Sequence, residues 1–247
     1  MAKRKKKDEY DFSDDVGMGF EDVRPDDLST PFLMIIQSNS PEVTEGKEKY
    51  MEDAKPGMII NTATREILGG RGDPVTFIPC KYHKSYVEWT PRDKGGGFVK
   101  THENVSILSE CTRGDTGKDE LSNGNVIVTT AYIFGLLIDD DNPIKAVIGL
   151  SSTQLKKARL WLSMMMSIKM EKPDGEKFTP PMFSHKYHLS SIPESNDKGD
   201  WFGWKIDNAG VIDSKLVAEA KETAKLASAD MQRKLPAASE SEDDTPF

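Results

Sequence analysis

The sequence predicts a mainly β domain with inserted helices, an α+β fold whose short antiparallel strands close as a small barrel or pack as a sandwich. Three observations predict it. From Pro31 onward the chain runs as short apolar stretches broken by Gly, Pro, Asn and Asp, the texture of strands and turns. One stretch, Val126-Ile127-Val128-Thr129-Thr130-Ala131-Tyr132-Ile133-Phe134, is dense in β-branched and aromatic residues that suit a pleated surface. With 247 residues, 36% of them hydrophobic, and polar ends to subtract, there is material for one core of moderate size.

Residues 1–27 open with Lys3-Arg4-Lys5-Lys6-Lys7, continue through Asp8, Glu9, Asp11, Asp14 and Asp15, and predict a mobile charged arm. A domain over 28–212 follows, with strands expected at Phe32–Gln37, Met58–Asn61, Val75–Trp89, Phe98–Lys100, Val126–Ile138, Ile144–Leu150, Phe183–Ser191 and Trp201–Asp207. Arg71-Gly72-Asp73 reads as a turn, and Asp139 to Pro143 as the turn of a hairpin. Ser151 or Ser152 is placed to cap a helix with an apolar stripe of Leu155, Ala158, Leu162 and Met165; the run Met164 to Met166 reads as adaptable core filler. A helical extension over 213–235 has weak apolar positions at Leu216, Ala220 and Leu226, and residues 236–247 form an acidic tail.

Rings and cations alternate in Lys81-Tyr82-His83-Lys84-Ser85-Tyr86-Val87-Glu88-Trp89, followed by Arg92, Lys94, the glycines 95 to 97 and Lys100. Single-stranded nucleic acid asks for this combination, since a base offers a sequence-independent π-face worth about 1–3 kcal/mol on an aromatic ring while a neighbouring cation holds the phosphate. Strand periodicity puts Tyr82, Lys84 and Tyr86 on one face. Val75, Phe77, Val87 and Trp89 then tend to the other, through an irregularity near Pro79. A second patch with the same texture holds Lys186, Trp201 and Lys205, with Phe202 and Trp204 turned inward. Cys80-x-x-His83 and His185-x-x-His188 have metal-ligand types, but residues three apart on a strand point to opposite faces, so no metal is expected. The glycines lack the spacing of a phosphate-binding loop, and no nucleophile or metalloprotease signature is present. We expect a binding protein, not an enzyme, with no cofactor.

The net charge of -8 is unevenly spread: residues 1–27 hold six basic and nine acidic residues, residues 240–247 hold four acids, and the remainder is close to neutral. Local potential therefore decides, not the sum. Two cysteines far apart, no secretory leader and no long apolar run predict a cytoplasmic protein with no membrane segment.

The last residues, Glu240-Ser241-Glu242-Asp243-Asp244-Thr245-Pro246-Phe247, set an acidic cluster beside one ring. Asp243 and Asp244 suit Lys or Arg on a partner, Phe247 suits an apolar pocket, and Pro246 limits the conformations lost on docking. This tail resembles that of single-stranded DNA-binding proteins, with Thr245 where an aliphatic residue is usual. The middle of the chain, from Thr30-Pro31-Phe32 to Leu150-Ser151-Ser152-Thr153-Gln154-Leu155-Lys156-Lys157, more loosely resembles phage-encoded proteins of that role. The resemblance implies an oligonucleotide-binding (OB-fold-like) barrel. It also implies coating of single-stranded DNA in phage replication or recombination, host-cytoplasmic location, and replication or recombination partners recruited by Glu242, Asp243, Asp244, Pro246 and Phe247. A homo-oligomer is compatible with it. Two other classes stay open: an interaction protein whose ring-rich surface binds protein, and a metal-dependent nucleic-acid enzyme using loop carboxylates such as Asp139, Asp140 or Asp141.

Overall fold

A computed structural model describes residues 13–23, 31–114, 117–139, 142–197 and 199–230, without the side chains of Arg92 and of 228–230. Its spine is an antiparallel ribbon of two long strands, β4 (Val75–Trp89) and β8 (Val126–Asp139), paired from end to end. Before it come β1 (Leu33–Ile35), β2 (Ile59–Asn61) and β3 (Glu66–Gly69), which form a small sheet of their own. The ribbon is widened at one end by β9 (Asn142–Ser151) on β8 and by β12 (His185–Asn196) with β13 (Gly199–Val211) on β4. At the other end β5 (Phe98–His102) pairs with β4, and β6 (Thr112–Arg113) and β7 (Asp119–Glu120) extend β8. The sheet curls into a half-barrel, and the molecule is mainly β with few helices.

The strands expected at Val75–Trp89 and around Val126–Ile138 lie where periodicity puts them. The face assignment along β4 needs correction. Pairing with β8 slips between Pro79 and Lys81, leaving Cys80 as a bulge. Phe77 stands opposite Leu137 and Tyr82 opposite Ile133, so the extra residue brings Val75 and Phe77 to the same face as Tyr82, Lys84 and Tyr86. That shared face is the one that buries the main core, with Ala131, Ile133, Leu137, Ile148 and Leu189. Gly135, opposite Pro79, lets β8 approach the kinked strand: a Cβ there would overlap the carbonyl oxygen of Ile78 and lie 2.6 Å from the Phe77 ring.

Helix α1 (Leu155–Ser167) lies on the core face. Its buried residues are Ala158, Trp161 and Met165, so the stripe is centred on Trp161 instead of the expected Leu155 and Leu162, which are only partly buried. Trp161 meets Phe77 at 6.1 Å and Tyr187 at 5.4 Å between ring centroids. Neither Ser151 nor Ser152 caps the helix through its side chain; a 3₁₀ turn over Ser152–Gln154 leads in instead. In the methionine run only Met165 is buried, and Met166 is exposed.

Helix α2 (Val217–Asp230) covers the opposite face of the ribbon. Leu216, just before it, and Ala220 pack on Ile78, Cys80 and Leu136, with Thr223 and Ala227 also buried. Leu226 is exposed, contrary to expectation, because steps of four, three and four from Leu216 carry the buried stripe past it. Short strands β10 (Met170–Glu171) and β11 (Lys177–Phe178) make a hairpin between α1 and β12.

Residues 31–37 span the open side of the half-barrel. Phe32 bridges in parallel to Val147 on β9, and Val147 donates its N–H to Pro31 O at 2.9 Å. Six residues on, the Gln37 carboxamide accepts from Phe202 N at 2.8 Å and donates to Phe202 O at 3.0 Å, standing in for a strand neighbour of β13. One short segment thus ties both free edges.

Candidate nucleic-acid interface

The β4–β5 hairpin carries the first ring-and-cation patch. Its loop closes through Thr90 N–H to Gly97 O at 2.9 Å and Gly96 N–H to Pro91 O at 3.0 Å. Gly95, Gly96 and Gly97 have φ of 102°, 66° and 121°, a left-handed run that only glycine adopts cheaply. At the base of the loop Trp89, half-buried, meets Phe98 edge-on at 6.0 Å, and Phe98 is 44% exposed. Lys94 and Lys100 are exposed on either side of the glycines. Lys94 reaches across to Gly124, where a Cβ would overlap its ammonium group.

Beneath these cations lies a buried polar cluster that sequence reading did not anticipate. Glu88, almost wholly buried, accepts from Asn125 Nδ2 at 2.6 Å and pairs with His102 Nε2 at 2.7 Å. Burial alone would raise its pKa, but hydrogen bonds from Asn125, His102 and Asn123, with the charge of Lys100, hold the carboxyl below its ordinary range. Glu88 stands opposite Lys100 in the β4–β5 register and diagonal to His102, so strand pairing itself assembles the cluster. Sequence spacing offers no signal for Asn125, which arrives from the start of β8.

The other residues expected in the first patch divide between the two faces of β4. Lys84 is exposed, its ammonium 5.9 Å from the centre of the Tyr86 ring. Tyr86 is only 3% exposed, packed with Ile107 and Ile127, and Tyr82 is half-buried against the main core. Lys81 is half-exposed on the other face, opposite Phe134. Phe98 and Val99, not Tyr82 and Tyr86, are the exposed apolar groups here. The backbone of Arg92 lies in a 3₁₀ turn over Arg92–Lys94.

The second patch sits at the opposite end of the sheet, because Tyr187 on β12 pairs with Phe77 near the start of β4. Its cations are paired: Lys186 with Asp213 at 3.0 Å and Lys205 with Asp207 at 2.6 Å. Trp201, half-buried, donates its indole N–H to Glu194 at 3.0 Å. Glu194 also meets Lys157 at 2.6 Å and Gln154 at 3.3 Å. Burial opposes its ionisation, and these contacts outweigh burial to hold its pKa low. Trp204 is buried and Phe202 packs on the core.

Of the metal-like pairs, Cys80 is buried with its thiol on Ile78 O, His83 pairs with Glu103 at 2.8 Å, His185 bonds Ser184 and His188 bonds Thr76. No group of three or more metal-ligand types gathers among the described residues. Among them too, no helix is long and apolar enough to cross a membrane. Glu242, Asp243, Asp244, Pro246 and Phe247 lie outside the described residues, as do Asp140, Asp141, most of the 1–27 arm and residues 231–235.

A family model described as Pam3 phage gp34-like protein matches residues 3–232. No curated protein and no solved structure matches the chain.

Proposed function

We propose that this chain, which belongs to the Pam3 phage gp34-like family, binds single-stranded DNA and acts in phage replication or recombination in the host cytoplasm as a coating protein, not an enzyme. The observation that carries this reading is the β4–β5 hairpin, which carries the exposed ring of Phe98, backed by Trp89, together with the exposed cations Lys94 and Lys100. A ring for the base and cations for the flanking phosphates are the two contacts that a single strand needs.

Strand order supports it. β4, β8, β9, then α1, then β12 and β13 form five strands with β4 between β8 and β12. We read them as an oligonucleotide-binding barrel, in which the connections between strands one and two and between strands four and five flank the bound strand. Here the first of these connections carries Lys94, Phe98 and Lys100, and the second is the turn beside Trp201 and Glu194. The acidic segment with Phe247 then serves to recruit partner proteins by charge and ring insertion.

Binding of a labelled single strand, followed by anisotropy, tests the surface. Replacing Phe98, Lys94 and Lys100 together by Ala should weaken binding about 100-fold, at roughly 1 kcal/mol per lost contact. An unchanged affinity in the folded triple variant rejects this surface. Ring-dependent capture of a protein with no affinity for single strands would favour the interaction-protein reading.

A further inference from the structure

Residues 13–23 expose a run of apolar side chains that the core does not use. Val16, Met18 and Phe20 are 86%, 70% and 71% exposed, and Val23 is exposed beside them. Successive turns shape the run, with Met18 N–H donating to Asp15 O, Phe20 N–H to Gly17 O and Val23 N–H to Phe20 O, each at 3.1 Å. Gly17 and Gly19 take the third position of the first two turns at φ of 78° and 88°, where a type II turn asks for glycine. Backbone hydrogen bonds from Gly19 and Glu21 hold the Glu21 carboxyl below its ordinary range. Asp14 and Asp15 flank the apolar run on one side, Glu21 and Asp22 on the other. An exposed apolar cluster already held in turns loses little freedom on docking and marks an interaction element.

The same chain carries a surface of complementary character. Between the end of α1 and the segment leading into β12 lies a half-open apolar cleft of about 140 Å3, walled by Leu162, Met165, Met166, Met182 and Pro181. An apolar space of about this size takes one benzene-sized ring, and thioethers are favourable neighbours for an aromatic face. Cations flank it. Arg159 is exposed on α1, three residues before Leu162 and seven before Met166, and so on the same side of the helix. Just past the helix end, the Lys169 ammonium bonds Thr179 Oγ1 at 2.6 Å and Met166 O at 3.5 Å, and both of these residues line the cleft. Among the described residues no carboxylate pairs with Arg159 or Lys169.

We propose that residues 14–23 of one copy dock in this cleft of a second copy: the Phe20 ring enters between the methionines and Pro181, Val16 and Met18 cover the rim, and the flanking acids meet Arg159 and Lys169. The match is of shape and of charge, acids around a ring against cations around a ring-sized hollow. Among the described residues of one chain the two halves do not meet, since Phe20 and Met166 are 71% and 66% exposed, so a second copy is the occupant. The contact is heterologous: each copy offers one segment and one cleft, and copies join head to tail. A ten-residue segment makes a small interface, weak on its own. Copies side by side on a strand gain from effective concentration; that use rests on the function proposed above, and the contact itself does not.

Sedimentation velocity of the full chain tests the contact. Phe20→Asp and Met166→Asp each alter an exposed side chain and leave the core intact. The sedimentation coefficient of the unaltered chain should rise with concentration, and each variant should associate at least tenfold more weakly. Lys169→Glu should weaken association about threefold. Mixing the two Asp variants is decisive, because the Phe20→Asp copy keeps a cleft and the Met166→Asp copy keeps a segment: the mixture should form a dimer and nothing larger. A chain that is monomeric at every concentration, association that neither variant weakens, or a mixture that stays monomeric overturns the contact. Association abolished by Phe247→Asp and untouched by Phe20→Asp gives the cleft to the acidic residues 236–247 and overturns the assignment to 14–23. Loss with Phe98→Ala while Met166→Asp is silent moves the segment to the β4–β5 hairpin and overturns the cleft. Binding of one copy to an oligonucleotide too short for two should be unchanged by Phe20→Asp, so the contact and single-strand binding stand or fail separately.

Discussion

Gly135 and the two cysteines show how single residues carry local geometry. Because a Cβ at Gly135 would collide with main-chain atoms of Ile78, Gly135→Ala should destabilise the protein by about 1–3 kcal/mol, read as a lower denaturant midpoint at constant m. Cys80 is buried at the bulge, and burial, with the charge of Glu219, raises its pKa to about 12. Cys111 is half-exposed, its thiol also pushed upward by burial and by Asp119, Glu110 and Glu88. A thiol reagent at neutral pH should therefore modify Cys111 slowly in the native protein and reach Cys80 only on unfolding. Fast modification of both thiols would contradict the packing of α2 over Cys80.

Among the elements, the β4–β5 hairpin depends on an ionised carboxylate. The folded-state pKa of Glu88 lies below the value of about 4.3 for a free glutamate, so its contribution is complete above that pH and is lost as pH falls through the folded value. Protection factors of the amides of 86–89 and 98–102 should fall in acid, before those of the β12–β13 hairpin do, and Glu88→Gln should remove that pH dependence. This cluster was not legible in the sequence, since Glu88, His102 and Asn125 meet only through strand pairing across 37 residues. The strands themselves were legible, because β-branched and apolar runs bounded by Gly, Pro and Asp mark them well. Facing was not: a single bulge at Cys80 reverses the alternation, moving Tyr82 and Tyr86 from an expected binding surface to the core side. For α1, the largest ring on the helix, Trp161, decides which stripe is buried. Trp161→Ala should cost about 3–5 kcal/mol.

For the whole molecule, a half-barrel closed by residues 31–37 sets two ring-and-cation patches at its two ends, and their pairing states differ. Lys186 and Lys205 pair with Asp213 and Asp207, whereas Lys94 and Lys100 stand exposed on the hairpin that carries Phe98. Gln37→Ala, which unties the closing segment from β13, should loosen the barrel and speed exchange at Phe202 without altering the β4–β5 hairpin. Preference for single strands is tested by titrating the full chain with labelled single-stranded and duplex DNA of equal length at several salt concentrations. Tight binding of the single strand over the duplex, with log affinity falling against log salt at about 0.7 per phosphate contacted, is the predicted result. Equal weak binding of both, or none at moderate salt, would contradict it.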